Sequence, residues 1–369
     1  MSDDLTKEEE HELAAVKAAT LIESLPWLKR FSGKTVVVKF GGNAMVNDDL
    51  KRAFAEDMVY LRYAGLHPVV VHGGGPQISA ALKEQGIASE FRGGYRVTTT
   101  EAITVVRDVL AGEVNREIVD LVNEHGDGLA VGVFGDGGSL FTGEKKGVVV
   151  DGEHFDLGHV GDITHVDPSG VLAAIEAGRI PIVSSIAIDD AHPDQALNVN
   201  ADAAAGALAI ALGAAKLMML TDVPGLYRNW PDRDSIIDLI AVDELRELLP
   251  SLESGMIPKM TACLDAVVGG VGGATIIDGR IPHSILLEVF TLRGAGTEVI
   301  PDPSRRTENQ NTHAEVGRRV PESAADPGRH AATDHASTTP QTSTTPQTST
   351  TPQTSTTHQT STTQKGTEQ

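Results

Sequence analysis

The stretch from Val36 to Gly42 constrains the fold more than any other part of the sequence. It reads Val-Val-Val-Lys-Phe-Gly-Gly, an apolar run that encloses Lys39 and ends in two glycines. A continuous run of β-branched residues is typical of a strand buried on both faces, as in a parallel sheet. Lysine is rarely buried without a partner, and α/β folds bind ligands at the exit edge of such a sheet. Lys39 is therefore either an anion-binding residue or a lysine whose ammonium reaches solvent at a strand end.

Strand and helix patterns alternate from about residue 33 to residue 300. Buried-strand patterns lie near 36–40, 67–72, 129–133, 180–188, 216–221 and 274–278, with helical patterns between most of them. We expect one long helix over 100–125, where Thr98 and Glu101 have the spacing of a capping box, and β-hairpins over 139–166. The alternation predicts an α/β protein with a mainly parallel sheet.

Two further segments flank this central part. Residues 8–29 predict an amphipathic helix, which either covers the domain or mediates oligomerisation. From Ser337 a six-residue unit, Ser-Thr-Thr-Pro-Gln-Thr, repeats in a region poor in apolar residues. Such a segment buries too little surface to offset the entropy of ordering. We therefore expect an oligomerisation helix within 1–32, a folded domain over 33–300 and a disordered tail over 301–369.

Composition excludes several classes of protein. The net charge of −21 argues against a nucleic-acid binder, which needs a basic face. The single cysteine, Cys263, allows no internal disulfide and is typical of a reducing compartment. The acidic residues Glu8, Glu9 and Glu10 have the wrong sign for a signal peptide, and no uncharged apolar run reaches the ~20 residues that span a membrane. We expect a soluble cytoplasmic protein.

Other strand exits and helix starts carry glycines or polar residues. Gly73-Gly74-Gly75 follows a buried strand and is either an anion-binding loop or a simple tight turn. The chain lacks both the G-x-G-x-x-G spacing and the P-loop pattern, so any phosphate is bound in another way. Arg96 precedes a predicted helix. It is suited to bidentate binding of a carboxylate, and is equally well explained as an exposed loop residue.

Charged residues also begin two predicted helices. Asn200 suits an N-cap and Asp202 the first turn that follows, whereas local structure does not explain the amide of Asn198. Lys259 lies at a predicted helix N-terminus, where a cation is disfavoured by about 0.3–1 kcal/mol unless an anion occupies the same place. We therefore consider that Lys39 and Lys259 meet at one phosphate.

Six motifs taken together resemble the amino acid kinase family. They are Val-Lys-Phe-Gly-Gly-Asn, Val-His-Gly-Gly-Gly-Pro-Gln, Gly-Tyr-Arg-Val-Thr, Leu-Asn-Val-Asn-Ala-Asp, Leu-Thr-Asp-Val-Pro-Gly-Leu-Tyr and Gly-Met-Ile-Pro-Lys-Met. They lie within about residues 33–300 and are most similar to the family members that phosphorylate N-acetyl-L-glutamate. The resemblance implies a three-layer αβα sandwich that transfers the γ-phosphoryl group of ATP to the side-chain carboxylate of N-acetyl-L-glutamate, the second step of L-arginine biosynthesis. Mg²⁺ is expected on the nucleotide phosphates rather than in a site made by the protein.

The resemblance also implies roles for individual residues, with acetylglutamate in the N-terminal part of the domain and ATP in the C-terminal part. Lys39 and Lys259 would stabilise the transferring phosphoryl group, with Asp202 holding both ammonium groups. Acetylglutamate would be held by Gly74, Gly75, Arg96 and Asn198. The nucleotide would be bound by Gly41, Gly42, Asp222, Gly225 and Tyr227.

Family members inhibited by L-arginine resemble this chain at both ends of the domain. They have an N-terminal helix that interlaces dimers into a hexamer, and a C-terminal pattern matched here by Glu288 and Gly294-Ala295-Gly296-Thr297. The resemblance implies a homo-oligomer, a hexamer built as a trimer of dimers, inhibited by L-arginine bound near His283, Glu288 and Gly296. The alternatives are a related kinase acting on aspartate or glutamate, and a non-catalytic arginine-sensing module with the same fold.

Overall fold

The computed structural model describes residues 6–135, 140–150, 152–291 and 293–301. The tail expected over 301–369 lies outside the described residues except for its first residue. Within the described ranges, no helix combines the length and the apolar composition that crossing a membrane requires.

Helices and strands alternate along the described chain. The α-helices are α1 (Lys7–Phe31), α2 (Asp48–Tyr63), α3 (Gly75–Glu84), α4 (Thr100–Arg107), α5 (Asn115–Gly126), α6 (Ser169–Glu176), α7 (Ala201–Ala211), α8 (Val242–Leu248), α9 (Ile257–Val268) and α10 (Ser284–Phe290). The strands are β1 (Thr35–Phe40), β2 (His67–His72), β3 (Phe91–Arg92), β4 (Tyr95–Arg96), β5 (Ala130–Val133), β6 (Phe141–Val150), β7 (Glu153–Val166), β8 (Ile180–Ser184), β9 (Ile186–Asp189), β10 (Ala196–Val199), β11 (Lys216–Thr221), β12 (Leu226–Tyr227), β13 (Ile236–Ile237), β14 (Leu239–Ala241), β15 (Ala274–Asp278) and β16 (Gly296–Ile300). Short 3₁₀ turns occupy Gly42–Met45, Arg233–Ser235 and Leu249–Ser251, and a π-helical segment occupies Asp108–Val114.

An eight-stranded sheet forms the centre of the domain, in the order β14-β16-β15-β11-β1-β2-β8-β5. Neighbouring strands are parallel except for β15 and β16. The side chains of β1 alternate between two cores: Val36 and Val38 face the core beneath α2, α5 and α10, and Val37 faces the core beneath α7 and α9. Burial on both faces explains why the strand is a continuous apolar run. The αβα sandwich with a mainly parallel sheet is therefore confirmed.

A small closed barrel accompanies the sheet. The hairpin of β6 and β7 confirms the hairpins expected over 139–166, and β9 and β10 complete the barrel. Strand β10 pairs in parallel with β7 and antiparallel with β9, so Asn198 lies opposite Val160 on one side and Ile186 on the other. The closure itself was not predicted, because it depends on pairing between strands that are distant in sequence.

The helix expected over 100–125 is not a single α-helix. The chain leaves α-helical geometry at Asp108, forms the π-helical segment to Val114 and resumes as α5. The predicted capping box is also wrong, because Thr99 rather than Thr98 caps α4 by accepting a backbone N–H at 3.2 Å. Thr98 is instead fully buried.

Helix α1 confirms the helix predicted over 8–29 and extends it at both ends. A capping box between Thr6 and Glu9 begins it, and its C-terminal part buries Trp27 and Phe31. Large apolar side chains nearer its N-terminus are exposed, namely Leu13, Val16, Leu21, Ile22 and Leu25. The outer part of α1 therefore presents an apolar surface.

Candidate active site

Three charged side chains from distant parts of the sequence meet beyond the carboxyl end of β1. Lys39 comes from β1, Asp202 from the first turn of α7 and Lys259 from the first turn of α9. Nζ of Lys39 lies 3.0 Å from Oδ1 of Asp202, and Nζ of Lys259 lies 3.0 Å from Oδ2 of the same carboxylate. We call these three residues the lysine clamp. The structure thus brings together the residues that the sequence assigned to one phosphate.

Two residues of the lysine clamp are buried and the third, Lys259, is partly exposed, with 27% of its side chain accessible. The clamp carries an excess of positive charge. Lys39 is 7% exposed and Asp202 is 5% exposed. Burial acts to raise the pKa of Asp202, but the two ammonium groups outweigh it and lower the pKa to about 2. The carboxylate therefore stays ionised at neutral pH and holds both ammonium groups in place. Two cations around one carboxylate suit an anionic ligand.

Local sequence explains how the clamp residues are positioned. Asn200 caps α7, and its side chain accepts two backbone N–H groups of the first turn at 2.8 and 3.1 Å. Pro258 lies in the first turn of α9, where its missing N–H removes no helical hydrogen bond. A Cβ on Gly41 would collide with Nζ of Lys39. Glycine at this position therefore leaves space for the ammonium group.

The glycine loop after β1 contacts Asp222, which follows the neighbouring strand β11. Gly42 has a φ of +71°, in the left-handed region that favours glycine, and a Cβ there would lie 2.7 Å from Oδ1 of Asp222. The same oxygen accepts the N–H of Asn43 at 2.9 Å. Gly41, Gly42 and Asp222 therefore lie together where β1 and β11 end.

A second group of predicted residues surrounds the glycine loop after β2. Gly74 is the N-cap of α3 and Gly75 is its first residue. The guanidinium of Arg96 donates to the carbonyl of Gly75 at 3.2 Å, to the hydroxyl of Ser79 at 2.7 Å and to the hydroxyl of Ser89. Arg96 is 7% exposed, so its interpretation as an exposed loop residue is wrong.

Asn198 joins this group through Thr98, a residue that sequence reasoning assigned only to helix capping. Nδ2 of Asn198 donates to Oγ1 of Thr98 at 3.3 Å, and this hydroxyl donates to the carbonyl of Arg96 at 3.0 Å. The chain of hydrogen bonds links β10 of the barrel to the segment that carries the arginine. No local pattern distinguishes this use of a threonine from capping, because its partner lies 100 residues away.

Gly225 and Tyr227 lie in the turn and strand that follow β11. A Cβ on Gly225 would lie 2.7 Å from Oγ1 of Thr297, a hydroxyl that accepts the N–H of Leu226 at 2.8 Å. The ring of Tyr227 lies 5.1 Å from the ring of Trp230. Trp230 is 53% exposed, so the pair presents an aromatic surface at the rim of the domain.

Arg280 is a charged residue near this rim that sequence reasoning missed. Its guanidinium donates to both carboxylate oxygens of Asp278, at 2.8 and 2.7 Å. These hydrogen bonds raise the pKa of Arg280, and the charge of Asp222 acts in the same direction. Arg280 therefore lies within electrostatic reach of the residues predicted to bind the nucleotide.

A separate cavity of about 280 Å³ lies where α1 meets the domain. Its lining includes Trp27, Arg30 and Phe31 from α1, and Lys216, Glu288 and Glu298 from the domain. Nζ of Lys216 lies 2.7 Å from Glu288 and 2.8 Å from Glu298. Burial acts to lower the pKa of Lys216, but the two carboxylates outweigh it and raise the pKa.

The residues predicted for arginine binding do not all lie at this cavity. Glu288 and Gly296 line it. His283 lies at the N-cap of α10, where its Nδ1 is 2.7 Å from Oδ1 of Asp57, and it is not among the lining residues of the described ranges. Gly294 does line the cavity. Its φ is +67°, and a Cβ there would lie 2.6 Å from Oε2 of Glu288.

The described residues offer no protein metal site. No group of three or more His, Cys, Asp or Glu side chains within them is arranged to hold a metal ion. The carboxylate at the centre of the lysine clamp is paired with two ammonium groups, which would repel a divalent cation.

Comparison with known proteins places these observations in a family. The model of the amino acid kinase family matches residues 34–278. The acetylglutamate kinase of Leifsonia xyli subsp. xyli is 66% identical over 300 residues, covering 81% of this chain and 99% of the relative. The acetylglutamate kinase of Saccharopolyspora erythraea is 62% identical over 289 residues, covering 78% of this chain and 94% of the relative.

Two solved structures share the fold. N-acetylglutamate synthase from Neisseria gonorrhoeae, complexed with coenzyme A and N-acetyl-glutamate, has a TM-score of 0.67 at 24% identity, covering 77% of this chain. This chain spans 63% of the length of that synthase. Carbamate kinase from Giardia lamblia bound to AMP-PNP has a TM-score of 0.52 at 17% identity, covering 74% of this chain and 100% of the other. At these identities the likeness concerns the fold alone.

Proposed function

This chain belongs to the amino acid kinase family, and we propose that it transfers the γ-phosphoryl group of ATP to the side-chain carboxylate of N-acetyl-L-glutamate. The product, N-acetyl-L-glutamyl 5-phosphate, forms in the second step of L-arginine biosynthesis. Identity of 66% with an acetylglutamate kinase over 99% of that relative's length supports the substrate. A biosynthetic role also supports the cytoplasmic location expected from the single cysteine.

The lysine clamp is the observation that carries this proposal. Phosphoryl transfer depends on positioning and on neutralising charge rather than on covalent chemistry by the protein. An oxygen of the substrate carboxylate attacks the γ-phosphorus, and the bond from phosphorus to the β,γ-bridging oxygen breaks as ADP leaves. Lys39 and Lys259 stabilise the charge on the transferring group from two sides. Asp202 fixes the two ammonium groups before the substrates bind, so little reorganisation is needed during the reaction.

We assign the acceptor to the glycine loop after β2. The N–H groups of Gly74 and Gly75 begin α3, where the helix dipole favours an anion. Arg96 adds a buried cation 3.2 Å from the carbonyl of Gly75. Asn198 contributes a side-chain amide, which is linked to the backbone of Arg96 through the hydroxyl of Thr98. These N–H groups, the guanidinium and the amide together suit a substrate that has a carboxylate and a polar acyl group.

We assign ATP to the residues at the ends of β1 and β11. Gly41 and Gly42 offer backbone N–H groups to the phosphates, because a residue without a Cβ allows close approach. Asp222, Gly225 and Tyr227 border the nucleotide, next to the aromatic surface that Tyr227 forms with its neighbour. Mg²⁺ enters as part of the MgATP substrate, bound through the phosphates. In this assignment residues 33–300 form the catalytic domain, with the acceptor in the N-terminal part and ATP in the C-terminal part.

We also propose that L-arginine inhibits the enzyme by binding in the cavity between α1 and the domain. The carboxylates of Glu288 and Glu298 suit a guanidinium or ammonium group, and Lys216 suits the ligand's carboxylate. Trp27 supplies an apolar wall from α1. Because α1 forms part of the cavity wall, the affinity for L-arginine would depend on the position of α1. The oligomeric assembly in which α1 takes part would therefore affect inhibition. His283 is not among the described residues that line this cavity. Its proposed place near the effector rests only on its position as the N-cap of α10, the helix that carries Glu288.

A hexamer, as a trimer of dimers, is our proposal for the assembly. The exposed apolar side chains on the outer part of α1 support it, because packing against another copy of the chain would remove them from water. Interlacing of α1 between dimers would cover that surface. No nucleic-acid or membrane partner is proposed.

One coupled assay of ADP release tests the reaction. The purified chain is given MgATP with N-acetyl-L-glutamate, L-glutamate, L-aspartate or carbamate, and we expect turnover of N-acetyl-L-glutamate. Lys39→Met and Lys259→Met should each lower kcat by roughly 10²–10³ because each removes preorganised charge from the transition state. Turnover of aspartate or glutamate in its place would contradict the substrate. Wild-type turnover in both lysine variants would contradict the mechanism.

A further inference from the structure

A buried histidine and asparagine lie directly beneath the glycine loop after β2. His72 is the last residue of β2 and is fully buried, and Asn115 is the first residue of α5 and is 2% exposed. Asn115 follows the π-helical segment Asp108–Val114. Short π-helical segments inside α-helices occur frequently at functional sites. Neither side chain has a role in the reaction described above.

The hydrogen bonds of Asn115 determine which nitrogen of His72 carries the proton. Nδ2 of Asn115 donates to the carbonyl of Ile182 at 2.8 Å, and it lies 3.0 Å from Nε2 of His72. A carbonyl accepts only, so the amide nitrogen faces Ile182 and has its second N–H for the imidazole. Nε2 is therefore the acceptor. Nδ1 carries the proton and donates to the carbonyl of Gly73 at 2.9 Å.

The imidazole stays neutral in this position. Burial lowers the pKa of His72 to about 4, although its hydrogen bond to Gly73 acts in the opposite direction. The tautomer set by Asn115 is thus the form present at neutral pH. Gly132 completes the arrangement, because a Cβ there would collide with Oδ1 of Asn115.

Fixing the carbonyl of Gly73 also fixes the N–H of Gly74. The two groups belong to one planar trans peptide unit and point in opposite directions. A peptide between two glycines rotates easily, since neither residue has a Cβ to limit its dihedral angles. The hydrogen bond from His72 therefore aims the N–H of Gly74 away from the core.

The π-helical segment supports the loop from the same side. A Cβ on Gly74 would lie 2.7 Å from Cδ2 of Leu110 and 3.3 Å from Cγ2 of Val114. Both side chains come from the π-helical segment, so the loop rests on it without space for a larger residue. The π-helical segment therefore packs against Gly74 directly, and Asn115 contacts the same loop indirectly through His72.

We infer that His72 and Asn115 are positioning residues that hold the Gly73–Gly74 peptide in the orientation in which its N–H receives the acceptor substrate. The inference rests on the proposed function for the identity of that substrate. The inference also gives the π-helical segment a role, because this segment places the residue that follows it, Asn115, next to the imidazole of His72. Loss of the Nδ1–H donor should weaken acceptor binding more than it changes MgATP binding.

Two substitutions of His72 separate positioning from simple packing. In His72→Asn the amide N–H occupies roughly the place of Nδ1 and keeps the donor to Gly73, but the acceptor for Asn115 is lost. In His72→Gln the amide reaches the place of Nε2 and keeps Asn115 satisfied, but the donor to Gly73 is lost. We expect His72→Gln to raise KM for N-acetyl-L-glutamate by roughly tenfold, the effect of one hydrogen bond, and His72→Asn to raise it less. KM for MgATP should stay within about twofold in both variants.

A matched pair on α5 controls for loss of an amide. Asn115→Ala should raise KM for the acceptor. Asn123→Ala, two turns along the helix, removes hydrogen bonds to the backbone of Ala130 at 2.6 and 3.4 Å that do not involve the glycine loop. It should lower the thermal midpoint without raising that KM. Thermal unfolding of all four variants shows which ones are folded.

Three results would overturn the inference. They are an acceptor KM in His72→Gln within twofold of wild type, a larger KM increase in His72→Asn than in His72→Gln, and equal KM increases in Asn115→Ala and Asn123→Ala. Failure of the proposed function has a different signature. In that case wild-type protein would turn over another acid of the panel, and the same comparison of KM values with that acid would still test the positioning.

Discussion

Asp202→Asn tests the lysine clamp most directly, because it removes one negative charge and keeps the shape of the side chain. The two ammonium groups hold the pKa of Asp202 near 2, below its ordinary 3.8, against the effect of burial. That depression corresponds to about 2 kcal/mol of unfolding free energy at neutral pH. The variant also leaves the ammonium groups of Lys39 and Lys259 facing each other without a carboxylate between them.

The stability effect has a defined dependence on pH. A carboxyl whose pKa is lowered on folding stabilises the protein above its unfolded pKa, and this contribution disappears as pH falls through the folded pKa. Urea unfolding of wild type and Asp202→Asn should therefore differ by about 2 kcal/mol at pH 7, and the difference should shrink as pH falls from about 4 towards 2. In the coupled assay kcat should fall by roughly 10²–10³, since the lysines lose their fixed orientation. Equal unfolding free energies at pH 7 together with wild-type kcat would refute the reasoning.

Asp57→Asn is the matched control, with the opposite dependence on pH. Burial raises the pKa of Asp57 to about 6, although the hydrogen bond from His283 acts to lower it. A carboxyl whose pKa is raised on folding costs stability as pH rises from its unfolded to its folded value, here by about 3 kcal/mol. Asp57→Asn should therefore gain stability relative to wild type between about pH 4 and 6, where Asp202→Asn gains none.

Three further predictions concern the loop, the cavity and the N-terminal helix. Gly41→Ala should lower kcat by at least about tenfold, because the new Cβ displaces the ammonium of Lys39, whereas the φ of −178° at Gly41 suits any residue and adds no backbone strain. The thermal midpoint should fall as well, because the displaced ammonium loses its ion pair with Asp202; an unchanged kcat would contradict the role given to this glycine. Glu288→Gln should raise the L-arginine concentration for half-inhibition by roughly tenfold or more, the effect of a lost charge-assisted hydrogen bond, measured in the same assay, and an unaltered inhibition curve would remove arginine from this cavity. Deleting residues 1–25, which keeps the buried Trp27 and Phe31, should convert a hexamer to dimers and weaken arginine inhibition, as measured by light scattering and kinetics. A truncated protein that stays hexameric would exclude the outer part of α1 from the assembly.

Features that depend on neighbours in sequence could be predicted from the sequence. The strand that carries Lys39 was identified because burial on both faces requires a continuous apolar run. The starts of α7 and α9 followed from Asn200 and Pro258, whose effects are confined to one helical turn. Lys259 stood out because a cation at a helix start is locally unfavourable.

Contacts between distant residues were decided by the tertiary structure. The order of strands brings β1 between β2 and β11, and that order determines which polar residues share a site. Thr98 looked like a helix cap until β10 placed Asn198 beside it. Lys216 looked like the start of an ordinary strand, and only the pairing of β15 and β16 and the packing of α10 surround it with two carboxylates.

The π-helical segment is the clearest example of a feature that the tertiary structure determines and the local sequence does not predict. Residues 100–125 have an ordinary helical pattern, and by sequence they predict one uninterrupted helix. The sequence by itself determined that Lys39 leaves a buried strand towards a glycine loop and that Asp202 and Lys259 begin helices, because periodicity and capping act over a few residues. Only the tertiary structure decided that Asn115 meets His72 under the second glycine loop, because hydrogen bonds between side chains 43 residues apart depend on how helices and strands pack, which no local pattern records.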